Sequence, residues 1–215
     1  MKAFDIITES DARVLAPGST VMLARGGHVT PLAADTLKER RVTVVEEGRT
    51  SGDEAALAPK ADIRSLALAC DHGGVGLRDA LLTFLRGRGL AVTDLGTHGP
   101  DPVDYPDVAA SVARLVATGE VDAGIVIDGA GIGSAISANK VPGVRAAMAT
   151  SELIARYARQ HNGANVLTLG ASLVSVEEAR AIVSTFLTTP MREARYIRRL
   201  AKIRDLEKDA EQGRR

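Results

Sequence analysis

Apolar positions fall into short blocks separated by polar, helix-compatible stretches, and the rhythm of the blocks becomes regular from about Arg64 onward. Leu66–Ala69, Ala91–Asp94, Ala123–Ile127, Arg145–Ala149 and Val166–Leu169 have the length of buried strands. Between them, Gly76–Arg88, Val108–Thr118, a segment opening near Ser134, Ser151–His161 and Val176–Leu187 carry the spacing of amphipathic helices, and a charged helix starts at about Arg192. Strands that alternate with helices of this length predict a parallel sheet covered on both faces. The expected fold is α/β, a Rossmann-like three-layer α/β/α sandwich with a mostly parallel five-stranded sheet.

The first 45 residues read as a separate, small α/β appendage. A short helix is expected from Thr8, a strand over Thr20–Ala24, a helix over Thr30–Arg40 with Pro31 at its first position, and a strand over Val42–Val45. Residues 46–63 are polar and rich in small side chains, which predicts a linker. The main domain is then expected over 64–190, with the charged C-terminal segment at 191–215.

Composition narrows the partners. The 215 residues carry 27 Lys and Arg against 27 Asp and Glu, so no overall field points to nucleic acid or an anionic membrane. There is no Trp and a single Cys, Cys70, which excludes an internal disulfide framework and fits a reducing cytoplasm. The N-terminus turns polar too early for a secretory signal, and no apolar run approaches the roughly 20 residues that cross a bilayer. A soluble protein acting on a small molecule is expected.

In open parallel sheets, ligands bind outside the carboxyl ends of the strands. Those ends carry Cys70-Asp71-His72-Gly73-Gly74, Asp94-Leu95-Gly96-Thr97-His98, Asp128-Gly129-Ala130-Gly131 and Gly170-Ala171-Ser172. The richest stretch is Gly124 to Lys140, where a buried strand runs into Gly129, Gly131 and Gly133 with Asp128 at the lip. Such a turn can aim amide N–H groups at an anion. Asp128 is the candidate general base, on the expectation that burial raises its pKa; the alternative is a carboxylate that caps the following turn. His161 with Asn162 reads either as functional or as a helix C-terminal cation and cap. Cys70 reads as a packed thiol, and His28 and His98 receive no role. A dinucleotide site is disfavoured, because Gly129-Ala130-Gly131-Ile132-Gly133 lacks the third glycine at its usual place and the strand Arg145–Ala149 ends without an acidic residue.

Asp71-His72-Gly73, Asp104-Tyr105-Pro106, Gly129 to Gly133, Ala138-Asn139-Lys140-Val141-Pro142-Gly143 and Arg159-Gln160-His161-Asn162 occur in an order and spacing that resemble the type B ribose-5-phosphate isomerase family, which includes allose- and galactose-phosphate isomerases. The resemblance covers roughly Arg64 to Arg204. It implies aldose–ketose isomerisation of a phosphorylated sugar through a cis-enediolate, with no metal or organic cofactor. It places His161 at ring opening, Asp71, His72, Ser134 and Asn162 near substrate, and Gly129, Ala130, Gly131 and Gly133 around the enediolate. Arg195 and Arg199 would bind phosphate across a dimer interface, in a homodimer or a dimer of dimers with shared active sites. Their i, i+4 spacing puts both guanidinium groups on one helix face.

Three positions depart from the pattern: Asp128 stands where many members have Cys, with Ser134 where others have a glutamate base; Ala130 replaces Thr or Ser; and Ser172 replaces a phosphate-binding Arg. They motivate a second reading, a catalytically weakened paralogue that binds a phosphosugar or serves as an assembly partner. The N-terminal segments Ile7-Thr8-Glu9-Ser10-Asp11, Gly18-Ser19-Thr20-Val21 and His28 to Ala33 loosely resemble a module of bacterial microcompartment-associated enzymes, which implies a role in targeting or assembly; an extra structural layer is the alternative.

Overall fold

The structure, a computed structural model, describes residues 3–46 and 56–213. The chain divides into two compact units, Met1–Ala56 and Leu57–Arg215.

The first unit runs β1 (Ala3–Ile7), α1 (Glu9–Val14), β2 (Thr20–Val29), α2 (Pro31–Glu39) and β3 (Thr43–Glu46), with a parallel sheet ordered β1-β2-β3. Ile7, Ala12, Val21, Leu23, Ala33, Leu37 and Val42 form its core. Thr8 caps α1 in a reciprocal box with Asp11, and Thr30 caps α2. Strand β1 goes beyond the sequence expectation, and β2 continues past Ala24 to Val29. Five residues of irregular alternation gave β1 no period to detect; it is fixed by pairing with β2, Ala3 opposite Met22 and Ile7 opposite Val29.

The second unit contains β4 (Ser65–Cys70), α3 (Val75–Gly87), β5 (Ala91–Asp94), α4 (Tyr105–Thr118), β6 (Ala123–Asp128), α5 (Ile132–Ala138), β7 (Ala146–Met148), α6 (Glu152–Asn162), β8 (Val166–Gly170), α7 (Val176–Thr188) and α8 (Ala194–Gln212). The five strands are all parallel, in the order β5-β4-β6-β8-β7. Central β6 and β8 are buried at every position, because both faces meet helices. Leu77, Leu81 and Leu85 of α3 join Ala155 and Ala158 of α6 and Ile182 and Phe186 of α7 on one face. Ala109, Val112, Ala113 and Val116 of α4 join Ala138 of α5 on the other. This is the expected three-layer α/β sandwich.

Residues 47–55 of the expected linker lie outside the described residues. Its last part, 57–63, belongs to the second unit: Ile63 is buried in the core, Lys60 pairs with Asp122 at 2.5 Å, and the Leu57 and Lys60 carbonyls accept hydrogen bonds from Arg145 and Arg159. Charged and small residues made this stretch look like spacer, while buried arginines tie down its backbone.

Candidate active site

The carboxyl ends of β4, β5, β6 and β8 form one rim, as the strand register requires: Cys70 lies opposite Ile127, and Asp128 opposite Gly170. Asp71 leaves β4 with its N–H on the Ile127 carbonyl at 2.9 Å. Its Oδ1 accepts from the Gly73 and Gly74 amides at 2.9 and 3.1 Å, capping a short 3-10 turn over His72–Gly74. Oδ2 has no hydrogen-bond partner among the described residues. His72 is exposed, and its Nδ1 accepts the Val103 N–H at 3.4 Å, so in the neutral ring the proton sits on Nε2. The loop that supplies Val103 is anchored at Asp94, which pairs with buried Arg78 at 2.6 Å and with His98 at 3.3 Å.

Asp128 is 4 % exposed and fully engaged. Oδ1 accepts from the amides of Ala130, at 2.8 Å, and Gly131; Oδ2 accepts from the Ser134 amide at 2.9 Å and from the Ser134 hydroxyl at 2.5 Å. Burial is the largest single influence and pushes the pKa up, but the Ser134 hydroxyl and three amides together outweigh it and hold the carboxyl below its ordinary value. This reverses the expectation of a raised pKa. Asp128 is an anion that organises the loop, and the amides of Ala130 and Gly131 face that internal carboxylate rather than an open oxyanion position. Gly131 has φ +76°, and a Cβ there would stand 2.9 Å from the Leu169 backbone, so the turn requires glycine. At Gly133 a Cβ would stand 2.5 Å from the Tyr105 ring. Tyr105 thereby lies on the loop as a half-exposed phenol, a site residue that the sequence reading quoted in a motif but gave no role.

The remaining expected residues are elsewhere. His161 ends α6, which runs antiparallel to the strands, so it lies at their amino ends, a few residues before β8 begins at Val166. Gly124 to Asp128 of β6 alone spans roughly 13 Å, which separates His161 from the rim. The His161 ring stacks on Tyr157, with centroids 4.6 Å apart and planes at 17°, and lies 4.6 Å from the ring of Tyr196 on α8. Arg195 and Arg199, both exposed, have their Cζ atoms 4.7 and 5.4 Å from the Tyr196 centroid. Asn162 is exposed beside them and donates to the Tyr157 carbonyl. A groove of about 570 Å³ between α8 and the Asn139–Ala147 segment opens at the same edge, with Asn162 in its wall.

Fully buried Arg159 fixes this corner, donating to the carbonyls of Ala164 and Lys60 at 2.8 and 2.7 Å; burial, helped by the nearby charge of Arg145, lowers its pKa to about 10. The candidate residues therefore lie in two clusters on opposite edges of the sheet: Asp71, His72, Tyr105 and Asp128 on one, and His161, Asn162, Arg195 and Arg199 on the other. The sequence reading set Arg195 and Arg199 across a dimer interface but gave His161 and Asn162 no such separation from the rim, because spacing carries no direction along a helix. The signal it missed was the i, i+4 pair Tyr157 and His161, which announces a stacked ring on α6.

Among the described residues no helix is long and apolar enough to cross a membrane, and no three His, Cys, Asp or Glu side chains gather as a metal site. Comparison with known proteins places residues 66–203 in the ribose/galactose isomerase family. Ribose-5-phosphate isomerase B of Escherichia coli K12 is 39% identical over 145 residues, 67% of this chain and 97% of that protein. The solved Clostridium thermocellum ribose-5-phosphate isomerase B is 45% identical with a TM-score of 0.67, covering 68% of this chain and 99% of that one. The Mycoplasma genitalium enzyme, solved with bound ribulose 5-phosphate, is 40% identical with a TM-score of 0.65, covering 67% and 96%. The family match spans well over half of this chain and the relatives are covered along nearly their full length, and the chain belongs to the ribose/galactose isomerase family.

Proposed function

We propose that this protein interconverts an aldose phosphate and a ketose phosphate, with ribose 5-phosphate and ribulose 5-phosphate as the first pair to test. The observation that carries this reading is the family match over 66–203, which spans every residue of both half-sites. The catalytically weakened alternative, raised by the three departures, is not favoured by these relatives.

His161 assists opening of the sugar ring. A rim carboxylate then takes the C2 proton; the C2–H electron pair forms the C1–C2 double bond, and the C1 oxygen gains the negative charge of the enediolate. Transfer of the O2 hydroxyl proton to O1 and return of the carried proton to C1 leave a hydroxyl on C1 and the ketone at C2. Asp71 is better placed than Asp128 to carry that proton, since Asp71 Oδ2 is unoccupied while both oxygens of Asp128 already accept two hydrogen bonds each.

A complete site then forms between two copies, the rim of one facing His161, Arg195 and Arg199 of the other. Three-residue β7 is an edge strand, and the helices on its two faces expose Ile132 and Ile136 on α5 and Leu153, Ile154 and Tyr157 on α6. Such a band is unusual on a monomer and suits a homodimer. The N-terminal unit precedes the matched region, and a role in assembly, including association with a microcompartment, is the reading its loose resemblance supports. A cytoplasmic setting fits a single, buried cysteine.

The test is C2 proton exchange in deuterated water with ketose formation across a panel of phosphorylated pentoses and hexoses. Asp71→Asn keeps the Oδ1 acceptor for Gly73 and Gly74 and removes only the basic oxygen, so it is expected to lower kcat by roughly 100-fold or more with folding intact. Full exchange by this variant would return the base role to Asp128; silence of the wild type on every sugar would favour the non-catalytic paralogue.

A further inference from the structure

Tyr196 joins the two functional parts of the α8 half-site. It sits on the first turn of α8, 9 % exposed, packed with Met191, Ile197 and Leu200. Its ring lies against His161, with centroids 4.6 Å apart and planes at 33°. Its hydroxyl accepts a hydrogen bond from an Arg195 guanidinium nitrogen at 3.0 Å, and Arg195 and Arg199 both stand within cation–π range of the ring.

A phenylalanine would fill the same apolar pocket. A buried phenol, by contrast, needs a hydrogen-bond partner, and here the partner is Arg195. The two arginines have no strong anchor besides Tyr196: Arg195 meets Glu193 at 3.6 Å with both side chains more than half exposed, and Arg199 has no carboxylate within 4 Å among the described residues. Long exposed arginines lose rotamer freedom when they clamp a phosphate, and a contact that already orders them reduces that loss.

We propose that Tyr196 is a positioning residue that sets the plane of the His161 imidazole through its ring and pre-orders Arg195 and Arg199 for a phosphate through its hydroxyl and face. The sugar's ring-opening group and its phosphate clamp are thereby held as one unit. The inference rests on the roles given above to His161 and the two arginines.

The test compares wild type with Tyr196→Phe and Tyr196→Leu, measuring KM and kcat for the turned-over phosphosugar and, independently of turnover, the Kd of inorganic phosphate by calorimetry. Tyr196→Phe keeps the ring, so kcat is expected within 2-fold of wild type while KM and the phosphate Kd rise about 3- to 10-fold, the scale of one net hydrogen bond at a partly exposed site. Tyr196→Leu is expected to lower kcat as well, about 10-fold or more, through loss of the face that holds His161. In an Arg195→Ala background, Tyr196→Phe is expected to change the phosphate Kd no further, since the two act through one contact.

Unchanged KM and phosphate Kd in Tyr196→Phe, or an undiminished effect in the Arg195→Ala background, would overturn the proposal while leaving the isomerase reading standing. If wild type binds phosphate but turns over no sugar, the isomerase reading fails and the phosphate arm still decides the role of Tyr196 toward the arginines; wild type that binds no phosphate overturns the Tyr196 proposal and leaves the isomerase reading to the turnover arm. If Tyr196→Leu does not fold, Tyr196→Phe carries the decision.

Discussion

At the scale of residues, the chain's carboxylates divide by how many donors surround them. Asp128 accepts four hydrogen bonds and Asp71 Oδ1 two, and the difference separates an anion that shapes a loop from one with an oxygen to spare. Asp122 belongs with the first kind. It accepts from Lys60 and from the amides of Arg64 and Ser65; burial pushes its pKa up, but these donors prevail and hold it far below the ordinary carboxylate range. Because the folded pKa lies below the unfolded one, the stabilisation from Asp122 is present above about pH 4 and is lost as pH falls through the folded value. Asp122→Asn is therefore expected to flatten the acid limb of stability against pH, measured by urea denaturation between pH 3 and 7, with its largest cost at neutral pH; an acid limb as steep as wild type would contradict this. The sequence shows the residue types but not their surroundings. Which carboxylate is saturated depends on where Ser134 and the glycine amides come to lie, and one-dimensional spacing does not specify that.

At the scale of elements, α5 and α6 are asymmetric. Each buries small residues inward, Ala138 on α5 and Ala155 and Ala158 on α6, and shows large apolar ones outward, against the usual sense of an amphipathic helix. Ile136→Asp, at a 58 % exposed position, touches no core and is expected to leave each subunit folded, with an unchanged circular-dichroism spectrum. It is also expected to shift the protein toward monomer in sedimentation velocity and to reduce turnover in parallel, since a monomer holds only half-sites. A fully active monomer would refute the shared site. The sequence located α3, α6 and α7 to within a residue or two. It placed the start of α4 at Val108 instead of Tyr105; in the structure Pro106 occupies the first turn, where its missing N–H costs nothing.

At the scale of the whole molecule, parallel strands and antiparallel helices force every strand end and every helix end to opposite edges of the sheet. This geometry, rather than any individual side chain, keeps His161 away from Asp71 in one chain. Complementation tests it directly: Asp71→Asn and His161→Ala, each inactive alone, are expected to recover about a quarter of wild-type activity when mixed and exchanged, because half the dimers are mixed and each mixed dimer holds one intact site of two. No recovery, with subunit exchange confirmed by mass, would place the complete site within a single copy. The isomerase relatives match along nearly their full length, and the family match begins at residue 66, after the first unit.

Hydrophobic period and short ordered motifs are local properties of a chain, and they carried the alternation of strands and helices, the parallel sheet, the rim of Asp71, His72 and the glycine turn, and the family. Tertiary structure alone decided that Asp128 is hydrogen-bonded to saturation, that Tyr105 lies on Gly133, that Tyr196 gathers His161 with Arg195 and Arg199, and that the expected site residues stand on two edges. Each of these depends on which donors and rings residues far apart in sequence bring to one point, and on the direction in which each helix returns across the sheet.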